Sequence, residues 1–270
     1  NKAFLDAIEH AKKNNSNLHL MGLIGHGSVH SNLQHLFALL RLCKEQNFTR
    51  VFLHLFTDGR DSPPTSAENY LAQVEQAIKH EGVGKIASVM GRYWAMDRDF
   101  RWERTEKAYR ALTEGLGTHV ASAKEAIEKS YEQNITDEFV NPAIIVSSGK
   151  PVSLVADGDS VIFLNFRIDR TRQLTRAFVF DDFREGFKRN KKLANLFFVT
   201  MTEYENAITK YAEIAFPPEQ VEMPLGEVLA SRSMHQLRLA ESEKERFVTF
   251  YFNGQQESAF ADEDRKIVAS

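Results

Sequence analysis

The chain of 270 residues holds a single cysteine, Cys43, so no disulfide framework can brace it, and a reducing compartment fits. The stretch around that thiol, with Leu39, Leu40 and Leu42, reads as the apolar face of a helix, which makes Cys43 core filler. No apolar run approaches the roughly 20 residues that a membrane span needs. The opening segment, Asn1 to Asn15, is amphipathic and carries lysines, unlike a signal peptide. The expectation is a cytoplasmic protein without membrane partners. Positive charge is not in excess either: 34 Lys and Arg stand against 37 Asp and Glu, a net charge of -3. No whole-molecule field therefore attracts nucleic acid, and any anion site has to be local. Internal repeats, low-complexity tracts and Gly/Ser linkers are absent. So are HExxH or similar metal spacings among the nine His, a GxGxxG or Walker loop, and a nucleophile elbow around Ser28 or Ser31, which read instead as helix caps. The residues themselves thus assign no metal ligand and no nucleophile.

What is there is an ordinary globular composition, 43% hydrophobic and 26% charged, with room for one or two cores. Buried-strand patterns alternate with amphipathic helical ones, which predicts an α/β fold of βαβ units with a mainly parallel sheet flanked by helices. Helix Lys2 to Lys13, strand Leu18 to Ile24, helix Ser31 to Gln46, strand Arg50 to Phe56, helix Ser66 to His80, strand Lys85 to Met90 and helix Trp102 to Thr113 are expected in turn. A helix at Ser122 to Glu132, short antiparallel strands within Asn141 to Val155, strand Ser160 to Asn165 and helix Thr171 to Phe178 continue the pattern, and strands are expected at Leu196 to Thr200 and Phe247 to Phe252. The character shifts beyond Asn195, where Pro217, Pro218 and Pro224 break the chain, so residues 1–215 are expected as one domain and 216–270 as part of another. Asn1 stands where an initiating Met would, and the tail Asp262 to Ser270 shows no terminating helix or cap. Both ends are expected to be cuts within a longer chain.

Three strands run into polar or Gly-bearing loops, Gly25 to His30, Thr57 to Pro64 and Gly91 to Arg98, and in open parallel sheets such loops meet in a crevice at the carboxyl ends of the strands. Arginine recurs there: Arg60, Arg92 and Arg98, then Arg167 and Arg170 after the strand that starts at Ser160. A guanidinium offers a planar fork of donors that matches phosphate or carboxylate and stays charged when partly desolvated. An isolated Arg reads as a surface partner of Asp; repetition at successive strand ends points to a small, multiply charged anion. The interleaved Asp61, Asp97, Asp99 and Asp169 would offset the mutual repulsion of these cations in the empty state. His30, at the end of a loop with small residues that opens a helix, is a candidate for a phosphate hydrogen bond or for proton work.

Read together, His19-Leu20-Met21-Gly22-Leu23 with Gly27-Ser28-Val29-His30-Ser31, Asp58-Gly59-Arg60-Asp61-Ser62-Pro63-Pro64, Gly91-Arg92-Tyr93-Trp94-Ala95-Met96-Asp97-Arg98-Asp99, Asn165-Phe166-Arg167, Asp169-Arg170 and Glu243-Lys244 resemble the cofactor-independent phosphoglycerate mutases of the alkaline phosphatase superfamily. The match spans nearly the whole chain, with several long motifs in order. The resemblance implies a monomer of two domains that interconverts 3-phosphoglycerate and 2-phosphoglycerate in glycolysis and gluconeogenesis without 2,3-bisphosphoglycerate. One domain carries a Ser nucleophile and two divalent metal ions, usually manganese, and the other, inserted in it, holds the glycerate. His30, Arg60, Asp61, Arg92, Arg98, Arg167 and Arg170 are then expected to bind substrate, and Lys244 to contact the phosphate. The family's nucleophile and metal ligands have no counterparts in this sequence, so the expectation is a substrate-binding phosphotransferase domain with a fragment of an α/β metal domain, inactive alone. Two positions depart from the family pattern: His26-Gly27-Ser28 stands for the usual Asp-Gly-Gly, and Ile168 for the usual Pro. Two other readings stay open, a non-catalytic phosphometabolite-binding protein and a related superfamily mutase such as a phosphopentomutase.

Overall fold

The computed structural model describes residues 1–219 and 221–269, with every side chain among them except that of Glu243. It divides into two compact units, Asn1–Pro217 and Pro218–Ser270.

The first unit begins with α1 (Lys2–Lys13), which leads into β1 (Leu18–Leu23), whose six residues are all buried, as a parallel strand between two helix layers requires. Then come α2 (Leu33–Glu45), β2 (Val51–Thr57), α3 (Ala67–Glu81) and β3 (Lys85–Gly91). A helical turn, α4 (Arg92–Ala95), follows at once where a loop is expected, and α5 (Trp102–Glu114), β4 (Thr118–Val120) and α6 (Ala123–Glu132) come next. After the 3-10 turn Asp137–Phe139 the chain forms β5 (Ala143–Ser147), β6 (Lys150–Pro151), β7 (Ser160–Phe163), α7 (Arg172–Val179), β8 (Phe197–Thr202) and β9 (Glu213–Phe216). The sheet order is β4-β5-β3-β2-β1-β7-β8-β9, with β6 beside β5. The pairs from β3 across to β9 are parallel, and β5 runs antiparallel to β3.

Alternation along the central strands feeds two cores. Leu18 and Leu20 face one side with Leu53, Leu55 and the inner faces of α1, α2, α3 and α6. Met21 and Leu23 face the other with Phe56, Phe163 and the inner faces of α5 and α7. The β2–β3 register steps past Ala87, so that Ser88 and not Ala87 faces His54. The step completes a buried polar run: Asp159 Oδ2 to His19 Nε2 at 3.0 Å, His19 Nδ1 to His54 Nε2 at 2.9 Å, and His54 Nδ1 to Ser88 Oγ at 2.8 Å. Each imidazole in this run has a partner on both nitrogens, which is how a sheet interior tolerates them.

Three expectations are corrected here. Ser31 does not cap α2; its hydroxyl donates to the Leu23 carbonyl, and the carboxamide of Asn32 accepts from Gln34 N–H instead. Ser28 likewise spends its hydroxyl locally, accepting from Asn32 Nδ2 at 2.7 Å. In the second unit, which comprises α8 (Leu225–Ala230), β10 (Gln236–Glu241), the 3-10 turn Ser242–Lys244, α9 (Glu245–Val248) and β11 (Glu263–Val268), Phe247 to Phe252 is not a strand. Its aromatic run has strand propensity, but Thr249 N–H bonds Glu245, Tyr251 bonds Arg246 and Asn253 bonds Thr249, and buried Asn253 is tied to Glu263 at 2.7 Å. These local bonds override the propensity. The two strands of this unit, β10 and β11, pair in parallel.

Among the described residues no helix is long and apolar enough to cross a membrane.

Candidate functional site

The loops after β1, β2, β3 and β7 leave neighbouring strands at the same edge of the sheet, and their side chains meet. Arg92, the first residue past β3, is 3% exposed. Its Nη1 donates to Asp58 Oδ1 at 2.7 Å and Asp61 Oδ2 at 2.5 Å, and its Nη2 donates to His30 Nε2 at 3.0 Å. Across the same corner Asp169 accepts from Arg98 at 2.7 Å and from Arg167 Nε at 3.1 Å, and its Oδ1 lies 3.9 Å from His30 Nδ1. The His30 carbonyl accepts from Phe166 N–H at 2.8 Å, which ties the β1 and β7 loops together.

A cavity of about 350 Å³ opens beside this network, lined by Arg60, Arg92, Arg98 and Arg170 together with Arg101 and Arg104. Arg170 makes one hydrogen bond, to the Met96 carbonyl at 3.1 Å, and among the described residues forms no ion pair. Burial, then the charges of Arg98 and Arg92, pull its guanidinium below the ordinary arginine range. Arg60 pairs with Glu138 at 3.3 Å, Arg101 with Asp99 at 2.7 Å, and Arg104 lies over the Tyr93 ring at 3.7 Å. The cavity wall has six guanidiniums against the three carboxylates of Asp97, Asp99 and Glu138. Asp58, Asp61 and Asp169 behind it offset part of the excess, which leaves the cation deficit of partners concentrated at Arg170. A larger cavity of about 580 Å³ lies elsewhere, between Phe4, Leu39, Phe166, Met201 and Phe216, with Arg41 as its guanidinium. Volume alone favours that groove; convergent charge favours the smaller one, and a small anion is recognised by charge.

His30 accepts from Arg92, so its proton sits on Nδ1, a buried N–H with no hydrogen-bond partner among the described residues. Burial, reinforced by the Arg92 charge, brings the imidazole down to about 4, so it is neutral at physiological pH. For Asp61 and Asp169 burial acts upward but is outweighed. The Arg92 hydrogen bond and charge hold Asp61 below the usual carboxylate range, and the Arg98 hydrogen bond with the Arg167 charge does the same for Asp169. An incoming anion thus meets an unpaired guanidinium, a free N–H and two ionised carboxylates that already sit in arginine seats.

Of the residues singled out in the sequence, His30, Asp61, Arg92, Arg98 and Arg167 are joined by these contacts, and Arg60 and Arg170 share the cavity wall. Lys244 belongs to the second unit, where its ammonium pairs with Glu241 at 3.0 Å. What sequence reasoning passed over is the scaffold beneath. Asp137 accepts from Ser66 N–H at 2.8 Å and Ala67 N–H at 2.9 Å, capping α3 from a distant turn, and its carbonyl accepts the Thr57 hydroxyl at 2.6 Å. That turn presses on the two glycines beside Arg60 and Arg92: a Cβ on Gly59 would lie 2.7 Å from Glu138 N, and one on Gly91 would lie 2.2 Å from Glu138 O. The motifs Asp58-Gly59-Arg60 and Gly91-Arg92 were the available signal, since a Gly beside each Arg marks close backbone approach. The departure at Ser28 also acquires a reason for notice: its φ is +52°, a left-handed conformation that Gly adopts without cost. Ile168 is half-buried against the core under α5 and α7, between Arg167, which donates to Asp169, and Arg170, which donates to the Met96 carbonyl.

Comparison with known proteins agrees with the motifs. The family model described as BPG-independent PGAM N-terminus matches residues 1–206. The 2,3-bisphosphoglycerate-independent phosphoglycerate mutase of Moorella thermoacetica is 52% identical over all of this chain and 52% of its own length, and that of Clostridium perfringens is 50% identical over the same shares. A crystal structure of Leishmania mexicana phosphoglycerate mutase at low cobalt concentration superposes with a TM-score of 0.79 at 29% identity, covering 99% of this chain and 53% of that one. The chain spans about half the length of the curated relatives it matches. On these grounds the chain belongs to the family of 2,3-bisphosphoglycerate-independent phosphoglycerate mutases.

Proposed function

We propose that this chain supplies the glycerate and phosphate site of an enzyme that interconverts 3-phosphoglycerate and 2-phosphoglycerate. The observation that carries the proposal is the arginine cavity, with Arg170 unpaired and the His30 N–H free. A phosphoglycerate bears a carboxylate and a phosphate, about -2.5 to -3 in charge at neutral pH, and both groups match bidentate guanidinium forks. Arg60, Arg92, Arg98, Arg167 and Arg170 would hold these anionic groups. His30 would donate Nδ1–H to an oxygen, and Asp61 would accept a proton from, or a hydrogen bond of, a glycerate hydroxyl once the ligand takes its place on Arg92.

In this reading residues 1–215 are the substrate-binding domain, residues 216–270 begin the metal domain, and Lys244 is assigned to the phosphate by the resemblance. The resemblance supplies a phosphoserine intermediate, two divalent ions, usually manganese, and a cytoplasmic monomer. Among the described residues no group of three or more His, Cys, Asp or Glu is arranged to hold a metal ion. The side chains described therefore do not fit such a site. The part proposed for this chain is to seat the substrate and to keep the glycerate from leaving while its hydroxyls exchange places, which preserves the proximity gained on binding; alone, it would have no turnover.

Thermal-shift titration with 3-phosphoglycerate, ribose 5-phosphate and inorganic phosphate tests the substrate class. Stabilisation by 3-phosphoglycerate well above that by the other two, at equal concentration, is expected. Equal or greater stabilisation by the pentose phosphate would move the reading to a related mutase.

A further inference from the structure

Asp58 has no part in the ligand contacts above, yet it is the most tightly held acid of the site. It is 3% exposed and is not among the residues that line the arginine cavity. Its Oδ1 accepts three hydrogen bonds: Arg60 N–H at 3.2 Å, Asp61 N–H at 3.1 Å and Arg92 Nη1 at 2.7 Å. The two backbone bonds close an Asx-type turn, which sets the direction of the chain as it leaves β2 and so fixes where Arg60 and Asp61 emerge. The third bond seizes the guanidinium that reaches His30. The other oxygen packs toward the end of β1, where a Cβ on Gly25 would lie 3.6 Å away. One carboxylate thus bonds the loops after β2 and β3 and lies beside the one after β1.

Arg92 has a second carboxylate, Asp61, but the two acids are not equivalent. The side chain of Asp58 is 2% exposed and that of Asp61 is 24% exposed. Arg92 lines the cavity, so an anion there would compete first with the more exposed Asp61, while the buried Asp58 is shielded from exchange. We propose that Asp58 is the positioning residue of the arginine site, the permanent anchor that holds Arg92 under the cavity and turns Asp61 toward His30, whether or not a ligand is bound. The consequence for affinity rests on the phosphoglycerate reading, whereas the anchoring does not. Aspartate is needed because an Asn keeps an acceptor for the two amides but removes the buried one of the two charges that compensate the guanidinium, leaving only the more exposed Asp61.

Labelling of the folded chain with phenylglyoxal, read arginine by arginine through peptide mass spectrometry, tests the anchor without any ligand. In the wild type Arg92 is expected to be protected relative to exposed Arg60 and Arg98. In Asp58→Asn its labelling rate should rise about fivefold or more, with Arg110 and Arg176, held by other carboxylates, unchanged. In Asp61→Asn Arg92 should stay protected, a result that also serves if Asp58→Asn does not fold. Protection of Arg92 in Asp58→Asn, a uniform rise at every arginine, or exposure of Arg92 in Asp61→Asn would each overturn the proposal.

Calorimetry with 3-phosphoglycerate supplies the second arm. Asp58→Asn should weaken binding about tenfold, and in an Arg92→Ala background the same change should cost less than about twofold, because the effect passes through Arg92. An equal loss in both backgrounds would mark a merely structural role and overturn the proposal. If the wild type binds no 3-phosphoglycerate while the labelling behaves as expected, the anchor stands and the substrate reading falls.

Discussion

His30 enters the arginine site as a neutral imidazole, with its pKa brought from the ordinary 6.5 to about 4 by burial and by Arg92. In the unfolded chain it would protonate near 6.5. Between these values the unfolded state binds more protons than the folded one, so stability present above pH 6.5 is lost as pH falls toward 4. The loss from this group is on the order of 3 kcal/mol at most. Asp61 and Asp169, whose pKa values are also lowered, lose their contribution only as pH falls below the ordinary carboxylate value of 3.8, so the two effects occupy different windows. Urea denaturation at pH 7 and pH 5 separates them: the wild type should lose stability over this interval, and His30→Gln should show a shallower loss. Parallel losses in the two proteins would mean that His30 is not held neutral.

At the scale of elements, the site depends on how the 3-10 turn Asp137–Phe139 is wedged against the ends of β2 and β3. Gly91 permits that approach, since any Cβ there would collide with the main chain of Glu138, which cannot swing aside as a side chain would. Gly91→Ala is therefore expected to destabilise the fold by about 2–3 kcal/mol and to loosen Arg92; unchanged urea midpoints would contradict the wedge. Much of the surrounding architecture was legible beforehand. β1, β2, β3 and β7 announce themselves because they are short, mainly apolar runs that end in polar loops, and the arginines repeat at those ends. The turn α4 was not legible, since Gly91 and the polar residues after it read as a loop. Nor were the roles of Asp58 and Asp137, whose partners lie 34 and 71 residues away in sequence and are chosen by the sheet order. The strand expected at Phe247 to Phe252 failed for the opposite reason: local propensity was strong, and local hydrogen bonds decided otherwise.

At the scale of the whole molecule, the order β3-β2-β1-β7 places four loop ends side by side and so converts an arginine repeated along the sequence into a cluster in space. Nothing in net charge foretells this, because the chain as a whole is slightly negative. The cluster is stable when empty because aspartates occupy most of the arginine seats, and it is ready for a ligand because Arg170 is left without one. Arg170 is therefore the guanidinium on which ligand capture most depends. The most direct test is calorimetric titration of 3-phosphoglycerate into the wild-type chain and Arg170→Ala. Saturable binding by the wild type, weakened in the variant by about 1.5–3 kcal/mol as the loss of a charged hydrogen-bond partner requires, is the predicted result. Equal affinity in the two proteins, or no binding by the wild type, would contradict it.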